Sequence, residues 1–252
     1  MASDLLHAYR QIWQRKPVLR VIYDDFYDRI LATAAPGLTI EIGAGVGALK
    51  ERDPGIIAVD IQGAPWLDCV ADAQRLPFAD ASVENIVMID VLHHVEFPAL
   101  FFREAARVLA PGGRVIMIEP AITWGSTLFY RLMHHEPVRM RADPLRHGTP
   151  DPRRDPYGAN QAVPTLIATR DRRRFEQKFA DLRISRVDWF SFMAYPLSGG
   201  FKRWSLLTEG MARRTLAIER AVERPLGRWA AFRMMLVVEK GRPSAPDMCY
   251  VS

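Results

Sequence analysis

The run Leu38-Thr-Ile-Glu-Ile-Gly43-Ala-Gly45-Val-Gly47, followed after a helix-length gap by Ile56-Ile-Ala-Val-Asp60, constrains this chain more than any other segment. An apolar β-type run that breaks into closely spaced glycines, then a second run that ends in a carboxylate, is how a parallel sheet builds a nucleoside pocket. The glycines let backbone approach the ligand, and the acid accepts hydrogen bonds from ribose hydroxyls. The glycine run alone leaves the ligand open, because Gly43, Gly45 and Ala48 also satisfy the G-x-G-x-x-G/A pattern of a dinucleotide site.

The residues that follow narrow the choice. Leu67-Asp-Cys-Val-Ala-Asp72 closes a third short run ahead of Ala73, and Leu76-Pro-Phe-Ala-Asp80 leads into Glu84-Asn-Ile-Val-Met-Ile-Asp90-Val-Leu-His93-His94. A helical stretch then ends at Pro111-Gly112-Gly113, ahead of Arg114-Val-Ile-Met-Ile-Glu119-Pro. Over roughly residues 38 to 120 this series resembles the class I S-adenosylmethionine-dependent methyltransferases, in the broad group that includes the ubiquinone and menaquinone C-methyltransferases. The resemblance implies S-adenosyl-L-methionine as cofactor. It places Gly43, Ala44, Gly45 and Gly47 under the amino-acid end of that cofactor, with Glu41 beneath. It gives Asp60 the two ribose hydroxyls and sets Ile61 against the adenine. Asp72 and Ala73 would read the adenine edge, and Asp90 and Val91 would border the methionine portion. All these residues fall at the carboxyl ends of predicted strands, where open α/β sheets bind ligands.

The pattern predicts a doubly wound, Rossmann-like α/β fold with a mostly parallel sheet, two N-terminal helices and insertions after the fifth and sixth strands. Strands are expected at 38–43, 56–60, 67–71, 84–90, 114–119, 183–192 and 230–239. One domain is expected over 1–240, with a helical cap at 1–36, a lid-like insertion at 121–168, a second insertion at 196–228 and a loose tail at 241–252. In the cap, Leu5, Leu6, Tyr9, Ile12 and Trp13 recur at helical spacing after Ser3-Asp4, and Ile22, Phe26 and Ile30 do so after Pro17. Tyr9, Tyr23 and Tyr27 are candidate pocket residues. The six prolines from Pro137 to Pro164 predict an irregular loop across the mouth of the site, and the next helix is expected at about 168–180. A helix bearing Trp204, Leu207 and Met211 is expected in the second insertion, packed on the domain or resting on a partner or membrane surface.

Composition removes several classes. At 252 residues and 49% hydrophobic content the chain can bury a full core. No apolar run approaches the ~18 residues of a membrane span, and the start lacks the pattern of a secretion signal, so a cytoplasmic location is the expectation. Cys69 and Cys249 suggest neither a disulfide framework nor a metal site. The net charge of +5 is concentrated in arginines between Arg139 and Arg174, without the aromatic interleaving of an RNA-binding surface or zinc-finger spacing. A basic flank is therefore expected instead of a nucleic-acid groove, with peripheral membrane contact left open.

Methyl transfer from a sulfonium is an in-line displacement, and a carbon or oxygen nucleophile usually also gives up a proton. Histidine suits that removal near neutral pH. The candidates are His93, directly after the fourth strand, and His134 and His135, at the end of a helix expected from Thr123 with Trp124, Leu128 and Leu132 inward. Such a helix C-terminus favours imidazolium, so His134 and His135 suit binding an anion better than abstracting a proton. The aromatic complement around the insertions favours a small or lipid-like acceptor, methylated at oxygen or carbon, and the arginines would tolerate an anionic or carrier-linked one. The alternatives are a nicotinamide-dependent oxidoreductase and a catalytically silent cofactor-binding subunit.

Overall fold

The computed structural model describes residues 2–133, 137–151 and 153–242. Two helices, α1 (Ala2–Arg15) and α2 (Pro17–Leu31), precede β1 (Thr39–Ile42), α3 (Ala48–Arg52), β2 (Ile57–Asp60), β3 (Cys69–Val70) and β4 (Val83–Ile89). A short 3-10 turn (Leu92–His94), α4 (Pro98–Val108), β5 (Leu109–Pro120) and α5 (Trp124–Met133) follow. The chain continues through α6 (Val163–Ala168), α7 (Arg172–Lys178), β6 (Leu182–Phe190), α8 (Ala194–Ser198), α9 (Glu209–Ala230) and β7 (Arg233–Lys240). The strands form one sheet in the order β3-β2-β1-β4-β5-β7-β6, parallel except for β7.

Strand periodicity divides the core. Val115 and Met117 of β5 face one side with Met88, Phe101, Phe102 and Phe175, while Ile116 and Ile118 face the other with Val87, Leu19, Phe26 and Phe190. Both faces are covered, so the central strands read as unbroken apolar runs. Strand order reverses between β1 and β4, and the crevice outside their carboxyl ends is where such sheets bind ligands. Among the described residues no helix is long and apolar enough to cross a membrane.

The structure departs from sequence expectation in several places. The helix expected at 168–180 is two short ones. The Leu166 carbonyl accepts from the Asp171 amide at 2.8 Å, which closes α6 before α7 begins. Trp204 and Leu207 precede α9 instead of lying on it, because the Thr208 hydroxyl accepts from the Met211 amide at 3.3 Å and starts the helix there. Trp124 is 82% exposed, not inward. A Cβ on Gly125 would lie 2.9 Å from the Ala230 backbone, so α5 presents Gly125 to α9 and leaves Trp124 outside the contact. Gly112 (φ +83°) falls within the span of β5, where the register with β4 slips between Val83 and Asn85.

Candidate active site

Two glycines shape the turn after β1. A Cβ on Gly43 (φ +69°) would lie 2.3 Å from Val91 Cγ2, so the absence of a side chain lets the loops after β1 and β4 touch. A Cβ on Gly45 (φ +50°) would meet nothing nearer than the Gly43 carbonyl at 3.8 Å, leaving open space over bare backbone. Asp60 closes the cradle from the end of β2. One of its carboxylate oxygens accepts from the Gly45 amide at 2.9 Å and the other from the Gln62 amide at 2.9 Å. Burial raises its pKa, and those amides pull it back. Each oxygen keeps lone pairs for a further donor.

Beneath the cradle Glu41 is buried, and its Oε2 has no hydrogen-bond partner. Burial, then the charge of Asp60, pushes its carboxyl up to about 8. A buried acceptor without a donor under an open glycine turn fits a ligand that brings a cation, as the amino-acid end of S-adenosyl-L-methionine would. Glu41, Gly43, Ala44, Gly45, Asp60, Ile61, Asp90, Val91 and His93 all line one cavity of about 700 Å³, within the range of small-molecule sites. Tyr9, Tyr23 and Tyr27 line it too.

Other expected residues lie elsewhere. Gly47 (φ +71°) caps α3, with Trp66 2.9 Å from where its Cβ would be. Asp72 and Ala73 are not part of the cavity wall, and the Asp72 carboxylate is held by the Gln74 amide at 2.8 Å and its side chain at 3.2 Å. The turn needs only one oxygen, so Asp72→Asn should weaken cofactor binding less than Asp60→Ala does, as measured by calorimetry with S-adenosylhomocysteine. A reversed ranking would give Asp72 the larger part in binding. His134 and His135 lie outside the described residues.

At the back wall, Asp90 and His93 meet two residues not assigned from sequence, Glu119 and Arg233. Glu119, fully buried at the end of β5, accepts through Oε1 from the Val91 and Leu92 amides at 2.9 and 2.6 Å. Its Oε2 lies 2.6 Å from Nδ1 of His93, itself 3% exposed. Asp90 (φ +59°) pairs with buried Arg233 from the start of β7, and that guanidinium lies 4.2 Å from the Tyr195 ring centroid. Asp90, His93 and Glu119 group closely enough to hold a cation. Glu119 is already engaged by two backbone amides and His93, and one oxygen of Asp90 by Arg233. A lone Glu and a lone Arg inside apolar strand sequences were the available signals, since buried charges are normally paired.

The mouth is walled by irregular chain. Residues 137–162 contain no described helix or strand, and Pro156, Tyr157 and Gln161 line the cavity. The Asn160 amide donates to the His93 carbonyl at 2.9 Å, and Gln62 Nε2 donates to the Tyr157 hydroxyl at 2.9 Å. The arginines here fasten the fold. Arg154 donates to the His94 carbonyl at 2.7 Å, Arg170 to the Met140 and Ala142 carbonyls at 2.6 Å, and Arg174 to both oxygens of Asp143 at 2.8 Å. Among the described residues none of the arginines between 139 and 174 lines the cavity, whereas Arg233 does.

Comparison with known proteins agrees with this geometry. Residues 41–117 match the methyltransferase domain family. The chain is 45% identical over 47 residues to 27-O-demethylrifamycin SV methyltransferase of Amycolatopsis mediterranei, covering 19% of this chain and 17% of that one. It is 33% identical over 66 residues to demethylmenaquinone methyltransferase of Streptomyces griseus, covering 26% and 29%. The matches to these curated relatives thus span less than a third of their length. A SAM-dependent methyltransferase of Thermotoga maritima shares the fold with a TM-score of 0.57 at 17% identity, over 94% of this chain and 99% of that one. Another from Archaeoglobus fulgidus aligns at 0.51 and 12% identity, over 87% and 93%. The chain thus shares the fold of these methyltransferases, and its residues 41–117, which carry the glycine turn and Asp60, are similar to the methyltransferase domain family.

Proposed function

We propose that the protein transfers a methyl group from S-adenosyl-L-methionine to an oxygen or carbon of a small or lipid-like, largely apolar acceptor. The observation that carries this reading is buried His93, backed by Glu119, in the wall of the same cavity as Glu41, Gly45 and Asp60. The cofactor, when bound, supplies an electrophilic methyl on a sulfonium. The chain's own residues do the rest. Asp60 takes hydroxyls at the end of β2, Glu41 takes a cation, and Asp90 and Val91 border the reacting end. Glu119 receives the Nδ1–H of His93, an assignment made from the hydrogen-bond partner. That fixes the ring and leaves Nε2 as its basic nitrogen. His93 then accepts the acceptor's proton as its oxygen or carbon bonds to the methyl, and the Glu119 carboxylate offsets the charge of the imidazolium.

Aromatic walls supply the acceptor side. Tyr23, Phe129, Tyr130, Tyr195, Phe201 and Phe232 all border the cavity, which suits an apolar or aromatic ring. The segment 137–164 serves as the lid that excludes water. A nicotinamide enzyme of the open dinucleotide type would have strand order 3-2-1-4-5-6, whereas here antiparallel β7 lies between β5 and β6.

Calorimetry tests the reading directly. S-adenosylhomocysteine should bind and NAD should not. Asp60→Ala should weaken binding by about ten- to a hundredfold, the value of roughly 1.5–3 kcal/mol for charge-assisted hydrogen bonds. Unchanged affinity in a folded Asp60→Ala protein would remove the pocket assignment, and product formation across an acceptor panel would identify the methylated atom.

A further inference from the structure

The longest helix leaves one face without a protein partner among the described residues. α9 buries Ala212, Leu216, Glu219 and Gly227 against the domain. At about 100° per residue, Met211, Ile218 and Trp229 fall within about 20° of one line on its outer side, with Leu226 about 60° away. All four are exposed, Ile218 and Trp229 by about two thirds (67% and 64%). Leu206 (68%) is exposed in the segment just before the helix. Trp124 (82%) is exposed at the start of α5, whose Gly125 abuts Ala230 at the end of α9.

Charge runs beside the line. Arg214, Arg224 and Arg228 occupy the adjoining strip of α9, and Arg203 lies in the loop before it, all exposed. None of the four makes a hydrogen bond or ion pair among the described residues. The carboxylates of the helix offset nothing there, because Glu209 pairs with Arg213, Glu223 pairs with Arg29, and Glu219 is buried. An apolar line that carries a tryptophan and is flanked by unpaired arginines is the pattern of a helix that lies in the interface of a bilayer. A two-fold contact between copies would set these arginines against one another. Nucleic acid would satisfy the arginines and leave the apolar line in water.

We propose that this face of α9 seats the protein on an anionic membrane surface. Arginine heads meet lipid phosphates, and Met211, Ile218 and Trp229 enter the acyl boundary. Trp204, in the segment before α9, lines the cavity and is 46% exposed. The proposal does not depend on methyl transfer.

Vesicle co-sedimentation of the full chain tests it. Binding is expected to phosphatidylcholine vesicles that contain phosphatidylglycerol, with a blue shift in tryptophan emission, and is expected to be lost at high salt. The triple change Arg214→Gln, Arg224→Gln and Arg228→Gln should weaken binding by roughly a hundredfold at low salt. Ile218→Asp should abolish the blue shift, and the thermal melt should stay unchanged because these side chains are exposed. No binding, equal binding to phosphatidylcholine alone, or binding indifferent to these changes would overturn the proposal. So would a dimer in light scattering that Ile218→Asp dissociates, since that result assigns the face to self-association.

Discussion

His93→Asn is expected to slow methyl transfer by about two to four orders of magnitude, the usual worth of a positioned acid–base group, while leaving S-adenosylhomocysteine affinity within a factor of about two. The separation follows from where the residue stands. His93 is 3% exposed in the wall of the cavity and tied to Glu119 at 2.6 Å, whereas Asp60 holds the Gly45 and Gln62 amides at the end of β2. Asparagine can still offer a polar group to Glu119 and keep the 3-10 turn packed, so loss of rate cannot be put down to collapse of the loop. Glu119→Gln gives the second reading of the same unit. Its carbonyl can still accept from the Val91 and Leu92 amides, but its amide would face Nδ1 as a donor and favour the tautomer that carries the proton on Nε2. The rate should fall in that variant too, with cofactor affinity again retained. The decisive measurement is kcat and KM beside calorimetric affinity, for an acceptor found in the panel. A full rate in His93→Asn would end the role of this residue as base.

The legible half of the site is the half made by local sequence. The glycine turn and Asp60 at the end of β2 follow from strand pattern and from backbone that favours glycine, and the resemblance added Glu41 and Asp90. They could be placed without knowing what packs against them. Glu119 and Arg233 could not, because their function comes from convergence. Antiparallel β7 returns Arg233 to Asp90 across 143 positions, and a lone charge in an apolar strand says that a partner exists without saying which. Tertiary bonding also decided the basic segment. Asp143 holds Arg174 and backbone carbonyls hold Arg154 and Arg170, so an arginine-rich stretch that reads as a binding surface is largely a set of fasteners. The spacing of Trp204, Leu207 and Met211 suits a helix, yet Thr208 followed by Glu209 is a start signal inside that window, and the cap outweighed the period.

Glu41→Gln should make the ligand-free protein more stable at pH 8 and leave it nearly unchanged near pH 4.5. Burial first, then the charge of Asp60, raises the Glu41 carboxyl from 4.5 to about 8. Between those values the folded chain holds a proton that the unfolded chain has released. Stability contributed by this group therefore falls as pH rises through that window and is fully lost above it. A shift of that size corresponds to roughly 4–5 kcal/mol as an upper bound, large beside a typical folding free energy of about 5–15 kcal/mol. The amide introduced by Glu41→Gln never ionises, so the difference between the two melting curves isolates the Glu41 contribution from Asp60 and the histidines. The same carboxyl gives a signature of the ligand. An ammonium group beside Glu41 would favour the carboxylate, so binding of S-adenosylhomocysteine near pH 7 should release close to one proton. Calorimetric heats should then vary with the ionisation enthalpy of the buffer in the native protein and not in Glu41→Gln. Buffer-independent heats in the native protein would place the ammonium elsewhere, and a stability difference of equal size at both pH values would mean that Glu41 acts through packing and not through its proton.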